Sequence, residues 1–204
     1  MDGSTAPPPT IAPHLHRARI LDIALELGEL RGWDAVHLHD VARAMGVTLS
    51  DIHRHYLQKD ALAEAWFDRA DRALLEACEA PGWGALDVRE RLHGALFAWL
   101  DALAPHRRLT SEMLRYKLQP EHLHLQALGA LRVSRTVQWW REAAWLPSTG
   151  WRRELEEAAL TVTYLSTFAS WLRDETRGAE RTRARLHRQL TVAEWAAVRL
   201  AFRR

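Results

Sequence analysis

The side chains best suited to chemistry in this chain of 204 residues are its eleven histidines. Four pairs stand two residues apart: His14 with His16, His37 with His39, His53 with His55, and His122 with His124. Imidazole is a common metal ligand and general base, so spacing decides what these pairs can do. On a helix, residues two apart point about 200° from each other, and chelation from one helix needs a spacing of three or four. No two of the histidines have that spacing. The one cysteine, Cys78, excludes a disulfide framework and a zinc site built on thiolates. Gly-rich phosphate loops, the His-Glu-x-x-His helix and the nucleophile elbow are absent from the sequence. The expectation is no catalytic centre, no metal and no cofactor.

The elements that must carry these residues are helical. Apolar residues recur at helical spacing and strand-type alternation is absent, which predicts an all-α fold of about nine helices. Residues 1–13 (MDGSTAPPPTIAP) are Pro-rich, poor in core formers, and read as a disordered leader. The spacing predicts helices over 16–31, 38–45, 48–55 and 59–79, broken at Gly32, Gly46 and Pro81-Gly82. Ile20, Leu21, Ala24, Leu25 and Leu27 form the apolar face of the first. Asp87, with Glu90 three residues on, makes a capping box that opens a helix running to 103. Pro105, Pro120, Pro147 and Gly178 then separate helices near 107–118, 121–145, 151–173 and 181–202. No apolar run reaches the roughly 18 residues of a membrane span, and no signal-peptide core opens the chain. A cytoplasmic protein is expected.

The two short helices around Gly46 have the spacing of a helix-turn-helix, with Val41, Ala42, Met45, Val47 and Ile52 placed to hold them together. On that motif residues 16–66, a quarter of the chain, resemble the N-terminal domain of the TetR family of bacterial repressors. The shared residues are Ile20-Leu21-Asp22 with Ala24-Leu25, then Gly32-Trp33, then Asp40-Val41-Ala42 with Gly46-Val47. Arg54-His55-Tyr56, followed by Lys59 and Leu62, completes the match. The resemblance implies a DNA-binding head over 14–62 whose residues 48–55 enter the major groove. It implies DNA contacts from Thr48, Ser50, His53, Arg54, His55, Tyr56 and Lys59. Lys59 would meet phosphate together with the free N–H groups of the helix that it starts. Three positions depart from the family pattern. Ser50-Asp51 replaces a small Gly-Thr pair, His53 replaces a Tyr, and His37 replaces the Ser or Thr that caps the second helix.

Charge works against DNA. Over residues 14–60, Arg17, Arg19, Arg31, Arg43, Arg54 and Lys59 face Asp22, Glu26, Glu29, Asp34, Asp40, Asp51 and Asp60, a net of −1 with His neutral. DNA affinity rests largely on neutralised phosphates, and Asp51 brings a negative charge towards them. The +2 of the whole chain conceals −5 over residues 1–80 and +7 beyond.

The same resemblance implies a larger body, 63–204, that binds a small ligand and dimerises. Eight of the ten Trp lie beyond residue 80. Indole rings make stiff apolar walls with one N–H donor, so Trp99, Met113, Tyr116, Trp139 and Trp140 are the candidate site for a small hydrophobic or aromatic ligand. Trp139 and Trp140, adjacent on a helix, point about 100° apart and cannot share a core layer. Leu155, Ala158, Ala159, Val162, Leu165, Ala169 and Leu172 form a stripe whose small residues permit close helix approach. Leu186, Leu190, Ala193 and Val198 add to it from the last helix. Two copies pairing there would form a homodimer whose heads read a palindromic double-stranded DNA operator.

Residues 155–190 are also similar to the end of a lipid-binding accessory family of ubiquinone biosynthesis that shares the TetR fold. That resemblance implies an enclosed isoprenoid-type lipid, no DNA reading and a C-terminal helix at membranes. Residues 175–204 carry eight Arg against Glu175, Glu180 and Glu194, with Trp195, Val198 and Phe202 at i, i+3 and i+7. Two functions follow: a repressor released from its operator by a ligand, or a lipid carrier at a membrane surface without DNA.

Overall fold

A computed structural model describes residues 13–117 and 123–201. Among the described residues it contains no strand. The helices are α1 (Pro13–Arg31), α2 (Leu38–Met45), α3 (Leu49–His53), α4 (Lys59–Cys78), α5 (Val88–Leu103), α6 (Arg107–Lys117), α7 (Leu123–Ala143), α8 (Gly150–Trp171) and α9 (Glu180–Ala201). The all-α expectation is borne out. The helix expected over 48–55 is shorter, because Thr48 stands outside it in extended backbone as the N-cap and Arg54 is the C-cap. The leader through residue 12, Pro120, His122 and Phe202 lie outside the described residues. Among the described residues no helix is long and apolar enough to cross a membrane.

The chain forms two compact units that divide between Ala65 and Trp66, inside α4. In the first, α1 packs on α2 and α2 on α3. Ile20, Leu21, Ala24 and Leu25 are buried as expected, with Ile23, Trp33, Val36, Val41, Ala42 and Ile52. The turn after α2 needs Gly46, whose φ of 68° lies in the left-handed region. There the N–H groups of Gly46 and Val47 close on the carbonyls of Arg43 and Ala42, at 3.1 and 3.0 Å.

In the second unit α7, α8 and α9 pack on α5, and α6 packs on α7. The expected capping box opens α5: the Glu90 N–H donates to Asp87 Oδ1 (2.7 Å) and the Asp87 N–H to Glu90 Oε2 (2.8 Å). Tryptophans hold this unit at long range. Trp66 Nε1 donates to Thr110 Oγ1 (2.9 Å), Trp83 Nε1 to the Ala143 carbonyl (3.0 Å), and Trp140 Nε1 to the Leu92 carbonyl (2.7 Å). Each ring combines a large buried apolar area with one satisfied donor. Leu186 and Leu190 correct the expectation for α9. They are buried against the unit's own core, because Thr182, Leu186 and Leu190 recur every four residues on the inward face.

Candidate nucleic-acid interface

Three side chains on α3 and its caps decide what that helix presents. The Asp51 N–H donates to Thr48 Oγ1 (3.2 Å), while Asp51 Oδ2 accepts from the Thr48 N–H (2.8 Å) and hydroxyl (2.7 Å). This is a reciprocal capping box, which satisfies donors that a helix start otherwise leaves open. Asp51 Oδ1 accepts from Arg54 Nη2 at 2.7 Å. The hydrogen bonds from Thr48, side chain first and backbone next, hold the Asp51 carboxyl below the ordinary carboxylate range. The charge expected to repel DNA is therefore turned into the helix end and onto Arg54. Asp40 is treated alike, with Arg43 Nη1 at 3.2 Å and Arg31 Nη1 at 3.5 Å.

Of the seven residues expected at DNA, Thr48, Ser50, His53 and Arg54 are exposed on α3 and its caps. His55 stacks on His16, with ring centroids 6.1 Å apart. Tyr56 is buried; its hydroxyl donates to the Arg17 carbonyl (3.0 Å) and Arg17 lies over its ring. Lys59 is half-buried, with Nζ donating to the Asp34 carbonyl (3.1 Å) over the Trp33 ring. Burial pushes its ammonium pKa down, against the pull of Asp34 and Asp60. His37 is the N-cap of α2 without a side-chain cap, and stacks on His39 at 5.2 Å. Met45 and Val47, expected between the helices, are half-buried on an open cleft of about 450 Å³ that also touches Ile20 and Ile52. Leu49, at the first position of α3, is 52% exposed. Residue-by-residue matching passes over it.

In the body, Trp99, Met113 and Trp140 are fully buried, Tyr116 is half-buried, and Trp139 is 46% exposed. Trp99 packs against Phe67, Tyr164 and Phe168 at centroid distances of 6.1, 5.4 and 5.1 Å. Its Nε1 donates to Asp71 Oδ1 (2.8 Å), as does Thr136 Oγ1 (2.9 Å). Arg132 joins Asp71 Oδ2 (2.9 Å) to Asp68 Oδ1 (2.7 Å). Burial, then the charge of Asp71, pushes the Tyr164 phenol above its ordinary value. Asp68, Asp71, Arg132 and Thr136 carry no spacing signal, since their partners are distant in sequence. Among the described residues no three His, Cys, Asp or Glu side chains gather to hold a metal ion.

The family model for bacterial regulatory proteins of the tetR family matches residues 20–66. The crystal structure of a TetR transcriptional regulator from Nitrosomonas europaea ATCC 19718 is similar at 44% identity and a TM-score of 0.79, covering 88% of this chain and 98% of that one. A TetR transcriptional regulator from Rhodococcus sp. RHA1 has the same fold, at 18% identity and a TM-score of 0.66, covering 89% and 97%. So does a tetR-family transcriptional regulator from Streptomyces coelicolor, at 18% and 0.63, covering 92% and 85%. No curated protein matches the sequence. The chain belongs to the TetR family of bacterial transcriptional regulators.

Proposed function

We propose that the protein is a ligand-responsive repressor: a homodimer whose heads read a palindromic operator and leave it when a small hydrophobic or aromatic ligand occupies the body. The observation that carries this reading is the exposed side of α3. There Ser50, His53 and Arg54 face solvent while the carboxylates of Asp40 and Asp51 are engaged by Arg31, Arg43, Thr48 and Arg54. Leu49 and Ser50 have the chemistry of base-edge contact, apolar for a thymine methyl and hydroxyl for either groove partner. Lys59, at the N-terminus of α4, has that of a phosphate contact. In the body, the concentration of Trp beyond residue 80 supports an apolar or aromatic ligand. Such a ligand shifts DNA binding by as much as its affinities for the bound and released states differ.

The test is a gel shift across a salt series with the DNA upstream of the protein's own gene. Sequence-specific binding is expected, weakening steeply with salt. Lys59→Ala is expected to weaken all sequences alike and to lower the salt slope by about one. Ser50→Ala is expected to change sequence preference instead. Absence of specific binding at low salt, together with tight binding to anionic vesicles, overturns the reading in favour of the lipid carrier, which the +7 beyond residue 80 would then serve.

A further inference from the structure

The head holds most of its fixed positive charge in internal pairs. Arg31 and Arg43 lie at Asp40 (3.5 and 3.2 Å), Arg54 at Asp51 (2.7 Å) and Arg19 at Glu26 (4.0 Å). Arg17 lies over the Tyr56 ring, and Lys59 donates to the Asp34 carbonyl. DNA binding needs several neutralised phosphates, yet residues 14–60 sum to −1 with His neutral. Further positive charge has one source in this window, its six histidines. Imidazole is the side chain whose charge ordinarily changes between pH 5 and 8.

Two pairs of these histidines form parallel stacks, and their surroundings differ. His37 and His39, 5.2 Å apart and 8° from parallel, stand at the start of α2. His39 Nε2 is 3.6 Å from Asp40 Oδ1, so a proton on that pair is answered within the chain. His16 and His55, from α1 and from the turn after α3, are 6.1 Å apart and 6° from parallel. Both are half-buried on the open cleft that Ile20, Met45, Val47 and Ile52 make apolar. Besides the imidazoles, the charged residues lining it are Asp51 and Arg54 of α3 and its C-cap, while α2 contributes Met45 alone. On α1, Arg17 follows His16. The Asp51 carboxylate is already engaged by the Thr48 N–H, the Thr48 hydroxyl and Arg54. Protons on both imidazoles would set two like charges face to face beside Arg54, an arrangement that calls for an anion.

We infer that His16 and His55 form a phosphate site of the head, with Arg54 beside them, and that the pair takes up a proton from solvent as it binds a DNA phosphodiester. The phosphate oxygens stay unprotonated and accept from the imidazolium N–H groups. This rests on the DNA-binding reading above. It adds His16, which the family resemblance does not bring to DNA, and the sign of a pH response. The bound head carries more protons than the free one, so affinity rises as pH falls.

The test is fluorescence anisotropy of the full-length chain on a duplex from upstream of its own gene, at pH 6 and pH 8. Ionic strength is held equal, and circular dichroism verifies folding at both pH values. Wild type is expected to bind about tenfold or more tightly at pH 6, with a salt slope steeper by about one. His16→Gln combined with His55→Gln is expected to flatten the pH response and remove the added slope. His55→Arg, whose charge is fixed, is expected to bind at pH 8 as wild type does at pH 6. His37→Gln combined with His39→Gln is expected to keep the pH response. Equal wild-type affinity at the two pH values, or a response that survives the first double variant, overturns the phosphate site and leaves the repressor reading standing. Absence of specific binding at both pH values overturns that reading and the site with it.

Discussion

In the head, acids are answered by bases three residues away and in contact with water, as in Asp40 with Arg43 and Asp51 with Arg54. In the body, Asp71 is answered by Arg132 and Thr136, 61 and 65 positions away and buried. The difference separates two uses of charge. An exposed local pair contributes little to stability, but it decides which charges face outward. A buried pair cannot lose one partner without stranding the other, so it ties α4 to α7. The head can therefore vary its surface at small energetic cost, whereas the body's network demands all its members together.

Changes at four positions break or sharpen this contrast. Asp71→Ala removes the acceptor for Trp99, Thr136 and Arg132, and is expected to destabilise the protein by about 3–5 kcal/mol in chemical denaturation. A loss under about 1 kcal/mol would put the body's charges on the same footing as the head's. Asp174→Ala strands buried donors of Thr182 and is expected to cost about 1–3 kcal/mol. Asp174 also gives the pH dependence a sign. Burial pushes its carboxyl up, but the hydrogen bonds from Thr176 and Thr182 outweigh that and hold it well below the ordinary 3.8. A depressed carboxyl stabilises the fold above 3.8, and that contribution is lost as pH falls through the lower folded value. An acid titration of stability should accordingly be shallower in Asp174→Asn than in wild type.

Thr48→Ala removes the cap of α3 and is expected to cost about 1 kcal/mol, seen as faster amide exchange confined to the head. Arg43→Ala comes last, with a stability change within about 0.5 kcal/mol by thermal melting. A larger loss there would mean that Asp40 depends on Arg43 even with Arg31 in place.

Much of the head is legible because its determinants are close neighbours. Gly46 marks the turn and the α1 face is periodic; in the body, Asp87 with Glu90 announces α5 by the same three-residue rule that joins Thr48 to Asp51 in the head. That second box escapes a residue-by-residue comparison, which assigns its two ends to DNA contact and to repulsion. Tyr56 shows the other limit. An aromatic just past α3 matches a DNA-contact position of the family, and its burial against Arg17 is something that spacing does not reveal. In the body, the prediction that Trp139 and Trp140 cannot share a layer agrees with their exposures, but periodicity does not say which of the two is buried. Nor does it separate the inward stripe of α9, with Leu186 and Leu190, from an outward one.

What the sequence by itself determined is governed by neighbours within about four residues: the helices, the Asp87–Glu90 cap, the helix-turn-helix and the apolar stripe of α8. Only the tertiary structure decided which aromatic rings enter the core, that Asp68 and Asp71 share Arg132, and that His16 stacks on His55. The reason is physical. Caps and helix faces follow from local backbone geometry, whereas burial and long-range ion pairing depend on which helices meet, and that is settled by the packing of the whole core at once.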